Sequence, residues 1–497
     1  MYRKISRFIL GTLSCVAFFF MCSAQQVPPD LDAYVNKVIR TFDVPGISVA
    51  IVKDGRVVVA KGYGVKELGR PGEVDAHTLF CIASNSKAFT ATALGMLVEA
   101  GKIHWNDPVI NYLPWFRMDN DYVTSHMTIR DLLVHRSGLG LGASDLLQFP
   151  PSGYTRDEMV SRLRYVPLKT GFRSTFAYDN ILYLVAGEVI RAVSGMSWEQ
   201  FIKNRMLDKL GMTETIDRIS QLTSQPNVAV SHAPIQGKVV PVTTFPDHNL
   251  GDASNPAGGV ASNAVNMARW LITQLDSGRT PSGGRLFDPT VTKALWSLVT
   301  PIGISTPPAF LKPLRKNFFG YGLGFFLQDY RGFKMVWHTG GLTGFVSRVT
   351  MIPELNLGIC VLTNQESGSA FNAITYHILD GYLKAPQFDW IAAYRHLDHL
   401  RDSSVEHFDA HQRYTRDSAA GPSLPLEKYA GTYHDAWYGD IGITQQKDHL
   451  VMRFSHSPDL TGDLVHWQYD TFLVRWRDRT LRADAYVTFS LNPDGNV

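Results

Sequence analysis

Strand-like segments stand on both sides of a long helical stretch, and this order limits the possible folds more than any other feature of the sequence. Residues 46–53 and 56–63 are runs rich in β-branched residues, joined by Asp54-Gly55, a dipeptide typical of a tight hairpin turn. Strand patterns return in three later segments, 333–338, 345–353 and 357–363. The sequence therefore predicts one antiparallel sheet that is assembled from both ends of a domain.

Helical patterns fill the region between these strands. From about residue 82 to 330 the chain alternates between helical segments and loops rich in Gly, Pro and Asn. Residues 262–275 are an example, and Ser262 is expected to cap the N-terminus of that helix. We expect an α/β fold of the α+β sandwich type, in which helices pack on the sheet and a mostly α-helical insertion separates its two halves.

The end of the chain has a different pattern. A helical stretch from residue 390 to about 416 leads into a linker at 418–425, and six short segments of alternating apolar and polar residues follow. We predict a main domain at 25–395, a helix and linker at 396–425, and a small antiparallel β-barrel domain at 426–497. Because the sequence stops within a hairpin signal, we expect this small domain to lack its final strand.

The first 24 residues have the three parts of a secretory signal peptide. Basic residues at positions 3, 4 and 7 precede an apolar run over 8–21, and small residues at 22–24 provide a cleavage site. The apolar run is short for a membrane span. We predict a secreted or periplasmic protein with no stable membrane span after signal removal, and a retained N-terminal anchor is the alternative.

The charge balance limits the possible binding partners, and the two remaining cysteines indicate whether the chain contains a disulfide. The signal segment holds three of the 48 basic residues and none of the 45 acidic ones, so the remaining chain carries 45 of each sign. This balance argues against nucleic acid and anionic membrane surfaces as partners. Cys81 and Cys360 lie in apolar stretches, which favours two buried thiols over a disulfide. We expect no metal ion and no cofactor.

Ser84 and Lys87 form an S-x-x-K motif at the start of a predicted helix. Residues three apart share a helix face, so the lysine amine can reach the serine hydroxyl. Burial and the positive helix N-terminus both lower the pKa of a lysine, and serine needs such a base because its free hydroxyl is a weak nucleophile. The alternative is an N-capping serine beside a solvated lysine, and the motif alone does not decide.

Two further motifs accompany this pair. Tyr178-Asp179-Asn180 stands in a loop before a predicted helix, and His338-Thr339-Gly340-Gly341 ends a predicted strand. In this order the three motifs resemble those of the penicillin-recognising serine hydrolases, above all the class C β-lactamase branch with its esterase and D-aminopeptidase relatives. Four segments also look like that family's framework: 128–139, 255–270, 321–325 and 338–345. The resemblance covers about residues 30–395, and the C-terminal domain is similar to the lipocalin-like modules of some members.

The resemblance implies a role for each motif. Ser84 would be the acylated nucleophile and Lys87 its proton acceptor. Tyr178 would act as a phenolate-like base or as a proton relay to the leaving group. Asn180 would hydrogen-bond Lys87 and the substrate amide. The backbone N–H groups of Ser84 and Gly341 would form an oxyanion hole.

The residue at position 338 departs from the β-lactamase pattern. His338, supported by Thr339 and Gly340, would line the pocket and touch Tyr178 or the substrate. The β-lactamases of this branch resemble one another in placing a lysine there, where its charge helps to hold the antibiotic carboxylate, whereas histidine is mostly neutral at pH 7. We therefore expect a peptide, amide or ester substrate. The alternatives are a β-lactamase and a catalytically inactive binding or scaffold protein of the same fold.

Other residues have simpler interpretations. His407 and His411 have a spacing that can bind metal on a helix, but without a neighbouring glutamate motif a solvated helix face is the better reading. His135 is expected to be a structural residue at a helix end. Trp437, Trp467 and Trp476 could form a ligand surface, although aromatic residues in a small β-domain usually belong to its core. The C-terminal domain could cap the active site, present a ligand pocket or join copies into a homo-oligomer.

Overall fold

The computed structural model describes residues 27–242 and 250–497, so the predicted signal segment 1–24 lies outside the described residues. The helices are α1 (Leu31–Thr41), α2 (Ser86–Glu99), α3 (Asp121–His126), α4 (Arg156–Ser161), α5 (Ile181–Ser194), α6 (Trp198–Phe201), α7 (Asp208–Leu210), α8 (Asn255–Gly258), α9 (Ala264–Leu275), α10 (Pro289–Leu295), α11 (Gly368–Tyr382) and α12 (Trp390–Thr415). In the main domain the strands are β1 (Gly46–Lys53), β2 (Arg56–Gly64), β3 (Phe80–Cys81), β4 (His232–Ile235), β5 (Lys238–Pro241), β6 (Ala261–Ser262), β7 (Thr300–Pro301), β8 (Phe319–Tyr321), β9 (Phe326–Tyr330), β10 (Phe333–Leu342), β11 (Phe345–Ile352) and β12 (Leu357–Thr363). The C-terminal domain adds β13 (Gly431–Asp435), β14 (Gly439–Gln446), β15 (His449–Phe454), β16 (Thr461–Gln468), β17 (Thr471–Trp476) and β18 (Ala485–Thr488).

The main domain is built on an eight-stranded sheet in the order β2-β1-β12-β11-β10-β9-β8-β7. Strand β1 pairs antiparallel with its hairpin partner β2 on one side and with β12 on the other, where Val49 lies opposite Val361. Asp54 and Gly55 of the hairpin turn both have positive φ, which Asp and Gly tolerate better than most residues. The prediction of one antiparallel sheet formed from both ends of the domain is confirmed.

Helices cover both faces of this sheet. Alternate residues of β1 enter different cores: Val49 packs in a core shared with α1, α11 and α12, while Ala50 packs in a core shared with α2, α5 and α9. Strand β1 is buried over almost its whole length, as expected for a strand covered on both faces. The predicted sandwich is therefore confirmed, and the larger core lies on the side of the helical insertion.

Two details of the predicted insertion are wrong. The main sheet resumes at residue 300 rather than 333, because β7, β8 and β9 extend it beyond β10. These strands have two to five residues, too few for a clear alternating pattern. The predicted helix cap is also displaced by one residue. Ser262 lies in β6, and the side chain of Asn263 accepts the hydrogen bond from the Asn266 backbone N–H that caps α9.

The C-terminal domain is a meander of β13 to β18, each paired with the next. Its own core contains Tyr429, Leu450, Phe472 and Trp476. Among the described residues β13 and β18 do not pair, so the domain is a half-barrel and the predicted barrel does not close. Helix α12, predicted from residue 390, precedes it as one continuous helix that crosses the expected boundary at residue 395.

Contacts join the C-terminal domain to the main domain. The indole of Trp437 is buried in the larger core of the main domain. An Arg162 Nη1 group donates to the backbone oxygen of Ala436 at 2.7 Å, and the Gly153 backbone N–H donates to that of His456 at 2.7 Å. The half-barrel is thus packed against the helical side of the main domain.

Two remaining expectations concern cysteines and membrane spans. Cys81 and Cys360 are free and buried, as predicted. Within the two described stretches no single helix is both long and apolar enough to span a membrane, and one bent pair, α5 with the helical segment over 198–210, meets that test only by length and composition.

Candidate active site

Ser84 lies in the turn that leads from β3 into α2. The turn is a 3-10 helix at Ala83–Asn85, and it continues directly into the helix that begins at Ser86. Ala83 has a positive φ of 50°, an uncommon conformation for alanine, just before the serine. Ser84 is partly exposed while its neighbours are buried, so its hydroxyl is available to a substrate at the N-terminus of α2.

Lys87 is fully buried and its Nζ atom has three oxygen partners. These are Ser84 Oγ at 3.0 Å, Asn180 Oδ1 at 2.7 Å and the Ala257 backbone oxygen at 2.9 Å. Burial lowers the pKa of Lys87 to about 7, against an opposing effect of the Asp145 and Asp179 carboxylates. The amine therefore titrates near neutral pH instead of remaining a permanent cation.

The two carbonyl partners orient the neutral amine. Asn180 Oδ1 and the Ala257 oxygen can only accept hydrogen bonds, so a neutral amine must direct its two N–H groups at them. The nitrogen lone pair then faces the remaining partner, the hydroxyl of Ser84. This arrangement suits a lysine that accepts the serine proton.

Tyr178 lies close enough to the serine for the Ser84 hydroxyl to lower the pKa of the phenol, although burial outweighs this effect. The Nζ atom of Lys87 is 5.0 Å from the centroid of the Tyr178 ring. Burial raises the pKa of Tyr178 further above its usual value, with the nearby Asp145 and Asp179 carboxylates acting in the same direction. A raised pKa keeps the proton on the phenol at neutral pH, the state that a proton relay needs and that a phenolate-like base does not have.

Asn180 links Lys87 to a carboxylate that sequence reasoning missed. The Nδ2 atom of Asn180 donates to both oxygens of Asp145, each at 3.2 Å, which fixes the orientation of its amide. Burial raises the pKa of Asp145 to about 6. Asp145 begins a short 3-10 helix in the stretch LGASDLLQF, where no motif marks it as a site residue.

His338 is buried, and its imidazole has a partner that the sequence does not predict, the hydroxyl of Tyr321. Its Nδ1 atom is 2.6 Å from the backbone oxygen of Thr339, and its Nε2 atom is 2.9 Å from the Tyr321 hydroxyl. The ring centroid lies 6.4 Å from that of Tyr178, and the two rings are tilted relative to each other. Burial, reinforced by the charge of Lys87, lowers the pKa of His338 to about 3. The imidazole is therefore neutral, and it brings no positive charge to the site.

Strand β10 approaches the serine turn at Gly340. A Cβ atom there would lie 2.0 Å from the Ile82 backbone oxygen, so only glycine fits. Strand β9 pairs with β10 only as far as Trp337, so among the described residues the edge over 338–342 has no partner strand on that side. Gly341 is exposed on this stretch. A substrate backbone can lie along such an edge.

His135 contacts the loop of the candidate active site, which was not expected of a structural residue at a helix end. Its ring is buried, with its centroid 4.1 Å from that of Tyr178. Its Nδ1 atom accepts a hydrogen bond at 3.3 Å from the backbone N–H of Asp179, the residue between Tyr178 and Asn180. His135 thus supports the loop that carries both side chains.

A cavity of about 500 Å³ opens beside these residues. It is lined by Asp145, Phe149, Gly341, Leu342, Thr343, Val346, Glu366 and Arg482. Arg482 belongs to the loop between β17 and β18, so the C-terminal domain contributes one wall. Its guanidinium forms an ion pair with Glu366.

The other candidates lie elsewhere. His407 and His411 are exposed on α12, and the described residues contain no cluster of three or more His, Cys, Asp or Glu that could hold a metal ion. Trp437 and Trp476 are core residues, while Trp467 is half-buried and packs against Tyr486 and Arg416.

Comparisons with known proteins agree with this architecture. The family model described as Beta-lactamase matches residues 31–382, and the one described as Domain of unknown function (DUF3471) matches 415–497. The chain is similar to Unguisins hydrolase ungD' of Aspergillus campestris (strain IBT 28561), with 28% identity over 495 residues that cover 95% of this chain and 89% of the relative. It is also similar to Protein flp of Staphylococcus aureus (strain COL), with 28% identity over 342 residues that cover 68% of this chain and 63% of the relative.

A solved structure has the same fold over nearly the whole chain. It is the octameric penicillin-binding protein homologue from Pyrococcus abyssi, with a TM-score of 0.60 and 22% identity. The match covers 94% of this chain and 96% of that one. Both the sandwich and the C-terminal half-barrel therefore have a counterpart in a known protein.

Proposed function

This chain belongs to the Beta-lactamase family of hydrolases, and we propose that it is a serine hydrolase that works through an acyl-enzyme on Ser84. The observation that carries the proposal is the environment of Lys87. Its Nζ atom lies 3.0 Å from Ser84 Oγ, two carbonyl oxygens hold its N–H groups, and burial lowers its pKa to about 7. A base of that pKa is well matched to neutral pH.

Acylation would begin with the neutral amine of Lys87. It takes the Ser84 proton as Oγ forms a bond to the substrate carbonyl carbon, and the backbone N–H groups of Ser84 and Gly341 stabilise the negative oxygen of the tetrahedral intermediate. As the bond to the leaving group breaks, the phenol of Tyr178 donates a proton to the leaving group. Lys87 then returns a proton to the phenol. Water, deprotonated by the same groups, then releases the acyl product and restores Ser84.

The neutral His338 supports an amide, peptide or ester substrate. The buried imidazole offers no cation for a carboxylate next to the scissile bond, which a β-lactam antibiotic would need. One relative is named as a hydrolase of unguisins, which is compatible with an amide or ester substrate for this chain. β-Lactamase activity is the second candidate, because the family model carries that description.

Mass-spectrometric mapping tests the proposal. The protein is treated with a fluorophosphonate, with penicillin and with a panel of acyl p-nitrophenyl esters, and the adduct is located by peptide mapping. We expect a covalent adduct on Ser84 and its loss in the Ser84→Ala and Lys87→Met variants. An unmodified Ser84, together with a Ser84→Ala variant as active as the parent, would contradict the proposal and favour a binding or scaffold protein.

Substrate class is tested by comparing rates. We expect short acyl esters and D-alanyl anilides to be hydrolysed with higher kcat/KM than nitrocefin. A nitrocefin rate far above both would instead support the β-lactamase candidate.

Two further proposals concern export and assembly. We propose that residues 1–24 direct the protein out of the cytoplasm and are removed, which N-terminal sequencing of the exported protein would check. We also propose that the C-terminal domain joins copies of the chain. The similar structure from Pyrococcus abyssi is described as octameric, and light scattering of the purified protein would measure the assembly here.

A further inference from the structure

The cavity that Asp145 and Gly341 line has three charged side chains in its wall, two of which neutralise each other. Arg482 forms an ion pair with Glu366 through its Nη2 atom, and Glu366 also accepts a hydrogen bond from the Gly344 backbone N–H at 2.8 Å. This pair fixes the C-terminal domain to the hairpin between β10 and β11, close to Gly341. Because the two opposite charges cancel, this part of the cavity wall carries no net charge.

Asp145, which also lines this cavity, has no ion-pair partner among the described residues. Its two carboxylate oxygens receive hydrogen bonds from a single neutral donor, Asn180 Nδ2, at 3.2 Å each. No Lys, Arg or His of residues 27–242 or 250–497 forms an ion pair with it within 4.0 Å. A carboxylate offers about four acceptor positions, so Asp145 keeps unused acceptor capacity beside the cavity.

The charge of Asp145 is also poorly solvated. The surrounding protein raises its pKa to about 6, so at neutral pH it is still mostly ionised but pays a desolvation cost. The charge of Lys87 acts on Asp145 and lowers its pKa in part, yet that lysine is neutral when it serves as the base. A buried carboxylate without a counter-charge is stabilised by any ligand that supplies one.

We propose that Asp145 binds an ammonium group on the acyl part of the substrate, so that the enzyme prefers aminoacyl amides, peptides or esters over their uncharged analogues. The proposal rests on the serine hydrolase function above. Gly341 and Asp145 line one cavity, so a carbonyl oxygen held at Gly341 leaves its acyl group in the space that Asp145 faces. The C-terminal domain borders that space through Arg482, whose ion pair with Glu366 offsets its repulsion of a cation.

A second role for Asp145 predicts a different result. Asp145 could act only through Asn180, by holding Lys87 in place. Its loss would then slow the hydrolysis of charged and uncharged substrates alike and would shift the pH dependence of both.

Matched substrates separate the two roles. D-alanine p-nitroanilide and propionyl p-nitroanilide differ only in the ammonium group, and 4-aminobutyryl and butyryl p-nitroanilides place that group farther from the carbonyl. We expect the parent enzyme to have the higher kcat/KM for one or both amines, and Asp145→Asn to reduce that preference by about tenfold or more, as for a lost charge-assisted hydrogen bond. Asp440→Asn, which removes an exposed carboxylate from β14, is the matched control and should keep the preference.

Binding without turnover tests the same point independently. In a Ser84→Ala background, calorimetry with D-alanine amide and propionamide should show tighter binding of the amine, lost on adding Asp145→Asn. Equal losses for both members of each substrate pair, or no preference for amines in the parent, would overturn the proposal. An unlabelled Ser84 would instead count against the hydrolase function, and the binding result would still decide the role of Asp145.

Discussion

At the scale of single residues, the site depends on how burial shifts proton affinities in opposite directions. Burial lowers the pKa of Lys87 to about 7 and raises the pKa of Tyr178 above its usual value. Both shifts favour the neutral form of each side chain. At neutral pH the free amine is therefore well populated and the phenol is intact, which is the pair of states that acylation requires.

The pH dependence of acylation follows from the state of Lys87. Since only the neutral amine accepts a proton, we expect kcat/KM for an uncharged ester to rise about tenfold per unit below pH 7 and to level off above it. Initial rates measured across the stability range of the protein give this profile. A rate that is flat from pH 5 to pH 8 would show that Lys87 is not the titrating base.

His135 gives a second prediction at this scale. It is a positioning residue, because it packs against Tyr178 and accepts a hydrogen bond from the Asp179 N–H. His135→Leu keeps much of the volume but removes the acceptor, and we expect kcat to fall by about tenfold to a hundredfold as Tyr178 and Asn180 shift.

His135→Asn is the matched variant, since its amide oxygen can replace Nδ1 as the acceptor. We expect it to recover most of the lost kcat, although it fills the space less well and lowers the melting temperature. If the rates of the two variants instead follow their melting temperatures, His135 has only a structural role.

The site residues differ in how well the sequence predicts them. Ser84, Lys87, Tyr178, Asn180 and His338 stand in motifs whose spacing and order carry information. Asp145 and the contacts of His135 could not be predicted, because they depend on how separate loops fold over α2 and α5. The pKa values of these groups are set by burial, and no local sequence pattern indicates how deeply a side chain will be buried.

At the scale of elements, the position of β10 against the serine turn sets the width of the site. Gly340 lies so close to the Ile82 backbone oxygen that any side chain would push the strand and the turn apart. The Ser347 hydroxyl on β11 donates to the same oxygen at 2.7 Å and accepts from Asn85 Nδ2 at 2.7 Å. The sheet therefore holds the turn from two adjacent strands.

Neighbouring glycines on β10 provide a matched test of this contact. A Cβ atom at Gly340 would meet the Ile82 oxygen at 2.0 Å, whereas at Gly341 its nearest neighbour would be Val346 Cγ1 at 4.0 Å. We expect Gly340→Ala to reduce kcat/KM by about a hundredfold or more. Gly341→Ala keeps its backbone N–H and should remain within a few-fold of the parent.

Ester kinetics and fluorophosphonate labelling of both variants, with circular dichroism as a check on folding, would measure this difference. Equal activities would contradict the close approach of β10 to the turn.

The elements themselves could be predicted where their patterns are long. The β1–β2 hairpin, β11 and β12 have seven to nine residues each and were recognisable from β-branched runs. The short strands β7 to β9 were not, because their place in the sheet depends on pairing with β10 and not on local propensity. The half-barrel strands are recognisable from their alternating patterns, whereas the pairing of β13 with β18 is a property of the whole sheet and not of any one segment.

At the scale of the whole molecule, the two domains have separate cores that are joined at one boundary. Trp437 extends from the C-terminal domain into the main core, and the stacking of Tyr154 on His456 at 4.0 Å lies on the same boundary. The Arg482–Glu366 pair adds a contact beside the candidate site. We therefore expect the domains to unfold together, in one thermal transition.

Truncation of Trp437 tests this coupling. Removing a buried tryptophan from a core costs about 3–5 kcal/mol of the free energy of unfolding. Since the indole belongs to the boundary, Trp437→Ala should separate the single transition into two and should make the linker at 418–425 more accessible to protease.

Trp467→Ala is the matched control, because Trp467 is half-buried on the surface of the half-barrel and its loss should cost about 1 kcal/mol or less. Scanning calorimetry, with circular dichroism in urea, would compare the two variants. A single transition in Trp437→Ala at nearly the parent temperature would mean that contact with the half-barrel does not stabilise the main domain. In that case only the ion pair with Glu366 would hold Arg482 beside the cavity.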